Sequence, residues 1–316
     1  MILSVLYLIV GLVFLIVGAN WLVKGASSLA KRFDIPQIVI GLTVVAFGTS
    51  APELVVNVIS SLKGASDIAF GNVIGSNNFN IFIILGISSL IYPLEVKVAT
   101  TWKEIPFVLF ISVLALLLVN DNWFNPTAVN MMSRFDGLIL LAVFGLFLAY
   151  NWRLSKSGTV EGANIKLYSM FWTLAGIIAG MTGLIIGGEV IVKQALFIAN
   201  EFGISEKVIA LTIVAAGTSL PELATSAVAA YKKHPDIAVG NIVGSNVFNL
   251  LLVLGVSSMI DPPLYKSSFN MDFSLMILAG LLLFLFMFIP SKHCLDRREG
   301  GLLLAVYVAY AVFLLK

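Results

Sequence analysis

Cysteine and histidine are nearly absent from this 316-residue chain, which has one of the first, Cys294, and two of the second, His234 and His293. A single thiol excludes an internal disulfide and a cysteine metal cluster. Both histidines lie in polar connections, where solvated surface is the expected environment, and no HExxH motif or nucleophile–base pattern for an intramembrane hydrolase is present. Charge is also scarce. Charged residues make up 11% of the chain, against about 25% in ordinary globular domains. The net charge is +2, and the 19 Lys and Arg fall mainly between apolar runs, so no basic nucleic-acid face is expected. What fills the chain instead is apolar: 59% hydrophobic residues and a mean hydropathy of +1.01. These values describe a multispanning membrane protein whose main partner is the lipid bilayer.

Spans of about 20 residues predict ten helices, with cores near 3–23, 37–61, 68–92, 104–120, 136–152, 170–192, 206–230, 237–260, 271–290 and 301–315. The first run has no basic residue before it and no small-residue cleavage site, so it reads as a span rather than a signal peptide. Pro36, Asp67 and Asp236 mark helix starts and Asp136 reads as a cap. A polar connection, 154–168, divides a first half, 1–153, from a second, 169–316. It is too short for a folded soluble domain. Of the 19 basic residues, 13 fall in the odd-numbered connections. The positive-inside rule therefore predicts a multi-pass cell-membrane protein with both termini extracellular.

One apolar phrase occurs twice, 169 positions apart: LTVVAFGTSAPEL at 42–54 and LTIVAAGTSLPEL at 211–223. A second phrase follows each at the same offset, GNVIGSNNFN at 71–80 and GNIVGSNVFN at 240–249. Aligned without a gap, residues 41–80 and 210–249 are identical at 21 of 40 positions. Five crossings separate the copies, so they run in opposite directions. The predicted fold is thus an all-α membrane protein of two inverted-topology repeats of five helices, an architecture of secondary transporters with a midplane substrate site.

Each phrase puts polar groups where hydrocarbon penalises them unless they line a polar site. Pro52 and Pro221 lack an N–H, so the second and seventh spans should break near mid-membrane and free carbonyls such as those of Ala46 and Ala215. Thr49, Ser50 and Glu53 span little more than one turn, and Ser76, Asn77 and Asn80 stand within one turn of each other. Broken helices 2, 3, 7 and 8 would then meet as a cage of oxygens. Oxygen-only donors suit hard cations. Glu53 and Glu222 carry two negative charges, enough to neutralise one Ca2+, and Na+ would suit the same hydroxyls and carbonyls. Competition between the two ions would give antiport. A Ca2+/H+ antiporter using the same Glu pair, and more remotely a cation channel, are the alternative readings.

GTSAPE and GTSLPE, each followed by its GSN phrase, resemble the paired alpha-repeats of the cation/Ca2+ antiporter superfamily, and most of all its Na+/Ca2+ exchanger branch in the compact prokaryotic form. The resemblance implies a non-enzymatic exchanger needing no cofactor, working as a single chain. Helices 2, 3, 7 and 8 would surround the ions while helices 1 and 6 slide across them. It implies Ca2+ ligands Glu53 and Glu222 with the backbone oxygens of Thr49 and Thr218. The implied Na+ ligands are Ser50, Ser76, Ser219, Ser245, the same two Glu and the carbonyls of Ala46 and Ala215. Asn80 and Asn249 stand where the family often carries Asp, which argues against K+ co-transport. The central connection lacks the large regulatory insert of animal exchangers.

Overall fold

The computed structural model describes residues 2–156, 166–201, 215–288 and 293–314. The described chain is helical apart from one ribbon. A long α1, Ile2–Arg32, is followed by α2, Gln37–Thr49, and α3, Ala51–Leu62, which meet at a 47° bend. Next come α4 (Ser66–Ile91), α5 (Val98–Val119), α6 (Arg134–Ser155) and the long α7 (Met170–Glu201). The short α8 (Ala215–Thr218) and α9 (Leu220–Tyr231) lead to α10 (Pro235–Ile260), α11 (Ser267–Phe286) and α12 (Arg297–Leu314). Strands β1 (Leu94–Glu95) and β2 (Cys294–Leu295) pair antiparallel and tie the connection after α4 to the start of α12.

Among the described residues seven helices are long and apolar enough to cross a membrane, and the bent α2–α3 pair makes eight. The seventh expected span begins in 202–214, outside the described residues, as does most of the central connection. At 31 and 32 residues, α1 and α7 outrun the expected 3–23 and 170–192. At ~1.5 Å per residue they exceed the ~30 Å hydrocarbon layer. Asp136 takes part in the cap of α6 but does not occupy the N-cap position. Ser133 caps α6, and Asp136 sits three residues on as its capping-box partner, accepting from the Ser133 N–H at 2.8 Å.

Burial separates centre from rim. In its most apolar window α10 is 94% buried, whereas α6 is only 22% buried and turns side chains such as Leu138 and Leu146 outward. The central α10 lies against α2 because Gly244 leaves room there: a Cβ on it would come within 2.7 Å of both Ala46 Cβ and the Leu42 carbonyl. Outside this core α1 packs along α7. Gly11 meets Gly187, Gly18 meets Gly180 and Gly25 meets Thr173. One number rises by seven as the other falls by seven, so the helices run antiparallel.

Prolines account for part of the expected helix disruption. The α2–α3 junction is at Ser50 (φ −85°, ψ 6°), and Ser219 has the same backbone (φ −88°, ψ 5°) between α8 and α9. Pro52 and Pro221 therefore stand in the first turn of a new helix, where the missing N–H has no partner to lose. The expected breaks in the third and eighth spans are not there. With no proline beyond the first turn, α4 and α10 stay continuous and widen into π-helical turns over Asn80–Leu85 and Phe248–Val253. Such turns recur at functional sites.

Candidate cation site

The two junctions face one another at the centre, and their side chains pair across the halves in matched fashion. The Ser50 hydroxyl donates to Glu222 Oε1 at 3.0 Å, and the Ser219 hydroxyl donates to Glu53 Oε1 at 3.4 Å. Ser245 adds a second donor to Glu222 Oε1 at 3.3 Å. The Thr49 hydroxyl reaches Asn241 Oδ1 at 3.0 Å, and the Thr218 hydroxyl reaches Asn72 Oδ1 at 3.2 Å. Thr49 and Ser245 hydroxyls lie 3.5 Å apart, and those of Thr218 and Ser76 3.4 Å apart. Apart from the Ser245 bond to Glu222, each contact has its counterpart with both partners moved by 169 positions.

Glu53 and Glu222 are both 0% exposed. One oxygen of each carries the serine bonds, while Oε2 of each is buried without a donor among the described residues. A buried carboxylate oxygen with no protein donor is costly and calls for a cation or ordered water. Here two of them, ringed by hydroxyl and amide oxygens, match the donor chemistry of Ca2+ and Na+. Among the described residues no group of three or more His, Cys, Asp or Glu gathers anywhere.

Most of the expected residues converge. Glu53, Glu222, Thr49, Ser50, Ser76, Ser219, Ser245, Asn80 and Asn249 are all buried, the larger part of them completely, and Thr218 is bonded into the cluster. Asn80 donates its amide to Asn246 Oδ1 at 2.9 Å, whereas both polar atoms of Asn249 and of Asn77 lack partners among the described residues. One expectation fails in part. The Ala46 carbonyl is not freed by the junction, because it accepts from the Ser50 N–H at 2.9 Å and the Thr49 hydroxyl at 3.3 Å. The proline removes the donor four residues after Gly48, not the one after Ala46. Ala215 is placed only as the first residue of α8.

Asn72 and Asn241 were not singled out by the sequence. The Asn72 amide donates to the Glu53 carbonyl at 3.3 Å and to Asn57 Oδ1 at 2.7 Å, and the Asn241 amide donates to the Glu222 carbonyl at 3.4 Å and to the Ser226 hydroxyl at 2.9 Å. Each therefore holds one junction from behind and reaches across to the other half's threonine. Their signal was available: both stand second in the repeated GN phrase at the repeat offset.

Helical membrane architecture and a buried pair of carboxylates among neutral oxygens define a class of protein, a membrane transporter of hard cations. Comparison with known proteins narrows it. The family model for the sodium/calcium exchanger protein matches residues 3–153 and 172–316, and the chain belongs to that family. It is 34% identical to the putative antiporter CaxA of Alkalimonas amylolytica, covering 99% of both chains. It is 30% identical to the sodium/calcium exchanger MaX1 of Methanosarcina acetivorans over 91% of each. A solved structure of the sodium-calcium exchanger NCX_Mj, soaked with Na+ and Sr2+, superposes with a TM-score of 0.84 at 32% identity, covering 99% of this chain and 98% of that one. The chain is a membrane antiporter of this family, not an enzyme.

Proposed function

We propose that this chain exchanges Na+ for Ca2+ by alternating access, with Glu53 and Glu222 holding either one Ca2+ or several Na+. The observation that carries the reading is the pair of donor-free carboxylate oxygens, one from each half, buried in one cluster. In this reading Ca2+ takes Glu53, Glu222 and the backbone oxygens of Thr49 and Thr218. Na+ takes Ser50, Ser76, Ser219, Ser245, the two Glu and the Ala46 and Ala215 carbonyls. With the Ser50 N–H and the Thr49 hydroxyl already on it, the Ala46 carbonyl must exchange one for Na+. Asn80 and Asn249 complete the cluster as neutral oxygens.

The chain, on the same reading, has ten spans in two inverted halves, 1–153 and 169–316, joined by 154–168, with both termini outside the cell. Three things support this. The serine–glutamate and threonine–asparagine bonds across the site recur at an offset of 169. Helices α1 and α7 pack antiparallel through glycines that themselves correspond at that offset, Gly11 with Gly180 and Gly18 with Gly187. The names of MaX1 and NCX_Mj supply the ion pair.

Two carboxylates balance one Ca2+, whereas three Na+ leave one extra positive charge, so the exchange is electrogenic. An empty core keeps two uncompensated charges, which resists its passage across the dry barrier and prevents leak. The test is uptake of radioactive Ca2+ by liposomes holding the purified chain, loaded in turn with Na+, K+ or acid. Uptake with Na+ alone is expected. Glu53→Gln and Glu222→Gln should each abolish it. Uptake driven by a pH gradient in the absence of Na+, or uptake needing no counter-ion, overturns the reading.

A further inference from the structure

Residues 169 positions apart hold equivalent places in the two halves, so a contact made in one half and missing from the other marks where the halves differ. The ends of the core do not differ. Lys97 pairs with Asp236 at 3.2 Å, and Lys266 pairs with Asp67, the same two positions in each repeat. One difference lies where α1 and α7 meet the helices that follow the junctions. Lys232, just past α9, donates its ammonium to the backbone carbonyl of Asn20 on α1 at 3.1 Å and to the side chain of the same residue. The equivalent of Lys232 is Lys63, just past α3, and the equivalent of Asn20 is Glu189 on α7.

That second contact is not made. Lys63 is exposed. The Glu189 side chain is 65% exposed and, among the described residues, forms its ion pair with Lys193, at 3.8 Å. The helices differ in the same sense. Helix α1 packs along α9, whereas α7 scarcely touches α3. It lies instead over both junctions, with Met181 against Gly48 and Val192 against Gly217.

We infer that Lys63 and Glu189 form a latch that closes only when the Lys232–Asn20 contact opens, so that the two ends of the antiporter are clamped in alternation. This rests on the alternating-access reading above. The latches are unequal. Lys63 and Glu189 bring opposite charges together, while Lys232 meets a neutral amide. Burial and the nearby charge of Lys24 also push the Lys232 pKa down to about 8, so its latch closes against a charge penalty. An exposed ion pair shifts a two-state equilibrium by about two- to five-fold. The Glu189 end therefore favours the conformer opposite to the one described here.

The test uses paired cysteines in a Cys294→Ser background and a bifunctional thiol reagent about one lysine side chain long. Asn20→Cys with Lys232→Cys should link in the resting protein, and the link should stop transport. Lys63→Cys with Glu189→Cys should link when the protein turns over under opposed ion gradients. In the four-cysteine variant either link should exclude the other. Separately, Glu189→Gln should raise the linking rate of the Asn20 pair by about two- to five-fold, and exchanging the charges (Lys63→Glu with Glu189→Lys) should restore it. Failure of the Lys63 pair to link while the Asn20 pair does, both links in one molecule, or no rescue by the charge exchange overturns the proposal. Failure of the ion assignment shows separately, as absent Na+-driven uptake by the Cys294→Ser parent, so the Lys63 pair is scored only in a parent that takes up Ca2+.

Discussion

Single residues in the centre of this molecule answer for more than one contact each. Asn72 accepts from the opposite threonine while its amide holds the Glu53 carbonyl. Asn72→Ala strips partners from both, and leaving a buried polar group unmatched costs about 1–3 kcal/mol. The variant should unfold at lower temperature in detergent than the parent, and Asn241→Ala should lose a similar amount, because its bonds are the same ones in the other half. The carboxylates behave in the opposite way. Their donor-free oxygens are a liability until a cation arrives, so Ca2+ at about 100 times its Kd should stabilise the protein by about 2.7 kcal/mol. Glu53→Gln should remove that stabilisation in a thermal-shift titration. An equal shift in parent and variant would separate Ca2+ binding from Glu53.

At the scale of elements, the prolines show how position changes the effect of a residue. Proline inside a helix costs about 3 kcal/mol, but in the first turn its missing N–H is not needed. Pro52 stands in that turn of α3. Pro52→Ala should therefore lower stability by no more than about 1 kcal/mol, through the freer unfolded chain, and should not stabilise the fold; chemical unfolding in detergent reads the sign. The α1–α7 contact makes a second comparison. A Cβ on Gly18 would lie 2.8 Å from the Gly180 carbonyl, whereas nothing lies within 4 Å of one on Gly145. Gly18→Ala should depress transport and stability together while Gly145→Ala changes neither, measured by uptake and melting side by side.

For the whole molecule the relevant quantity is charge moved per cycle. If one net charge crosses the membrane, each 100 mV contributes about 2.3 kcal/mol. A potential imposed on liposomes should then change both the rate and the final Ca2+ ratio. Indifference to voltage would reject the three-for-one exchange while leaving exchange itself intact.

Much of this was legible in the chain beforehand, because the cues were local or repeated. Hydropathy marks apolar helices wherever they pack. A proline two residues after Gly-Thr-Ser marks a junction, and a closely similar phrase 169 positions later marks the partner that completes the site. The sequence alone thus determined the membrane setting, the two junctions and most of the polar cluster. Three-dimensional packing decided what depends on neighbours distant in sequence. Helices α4 and α10 widen rather than break, because no proline removes an N–H at their middles and the π-helical turns keep the chain helical there. Asn72 and Asn241 earn their place only through threonines from the opposite half. Only the packing, too, distinguishes the end where Lys232 holds Asn20 from the end where Lys63 and Glu189 stand apart. A repeat in sequence specifies two equivalent halves, whereas the contacts that a single conformer makes need not be the same in both.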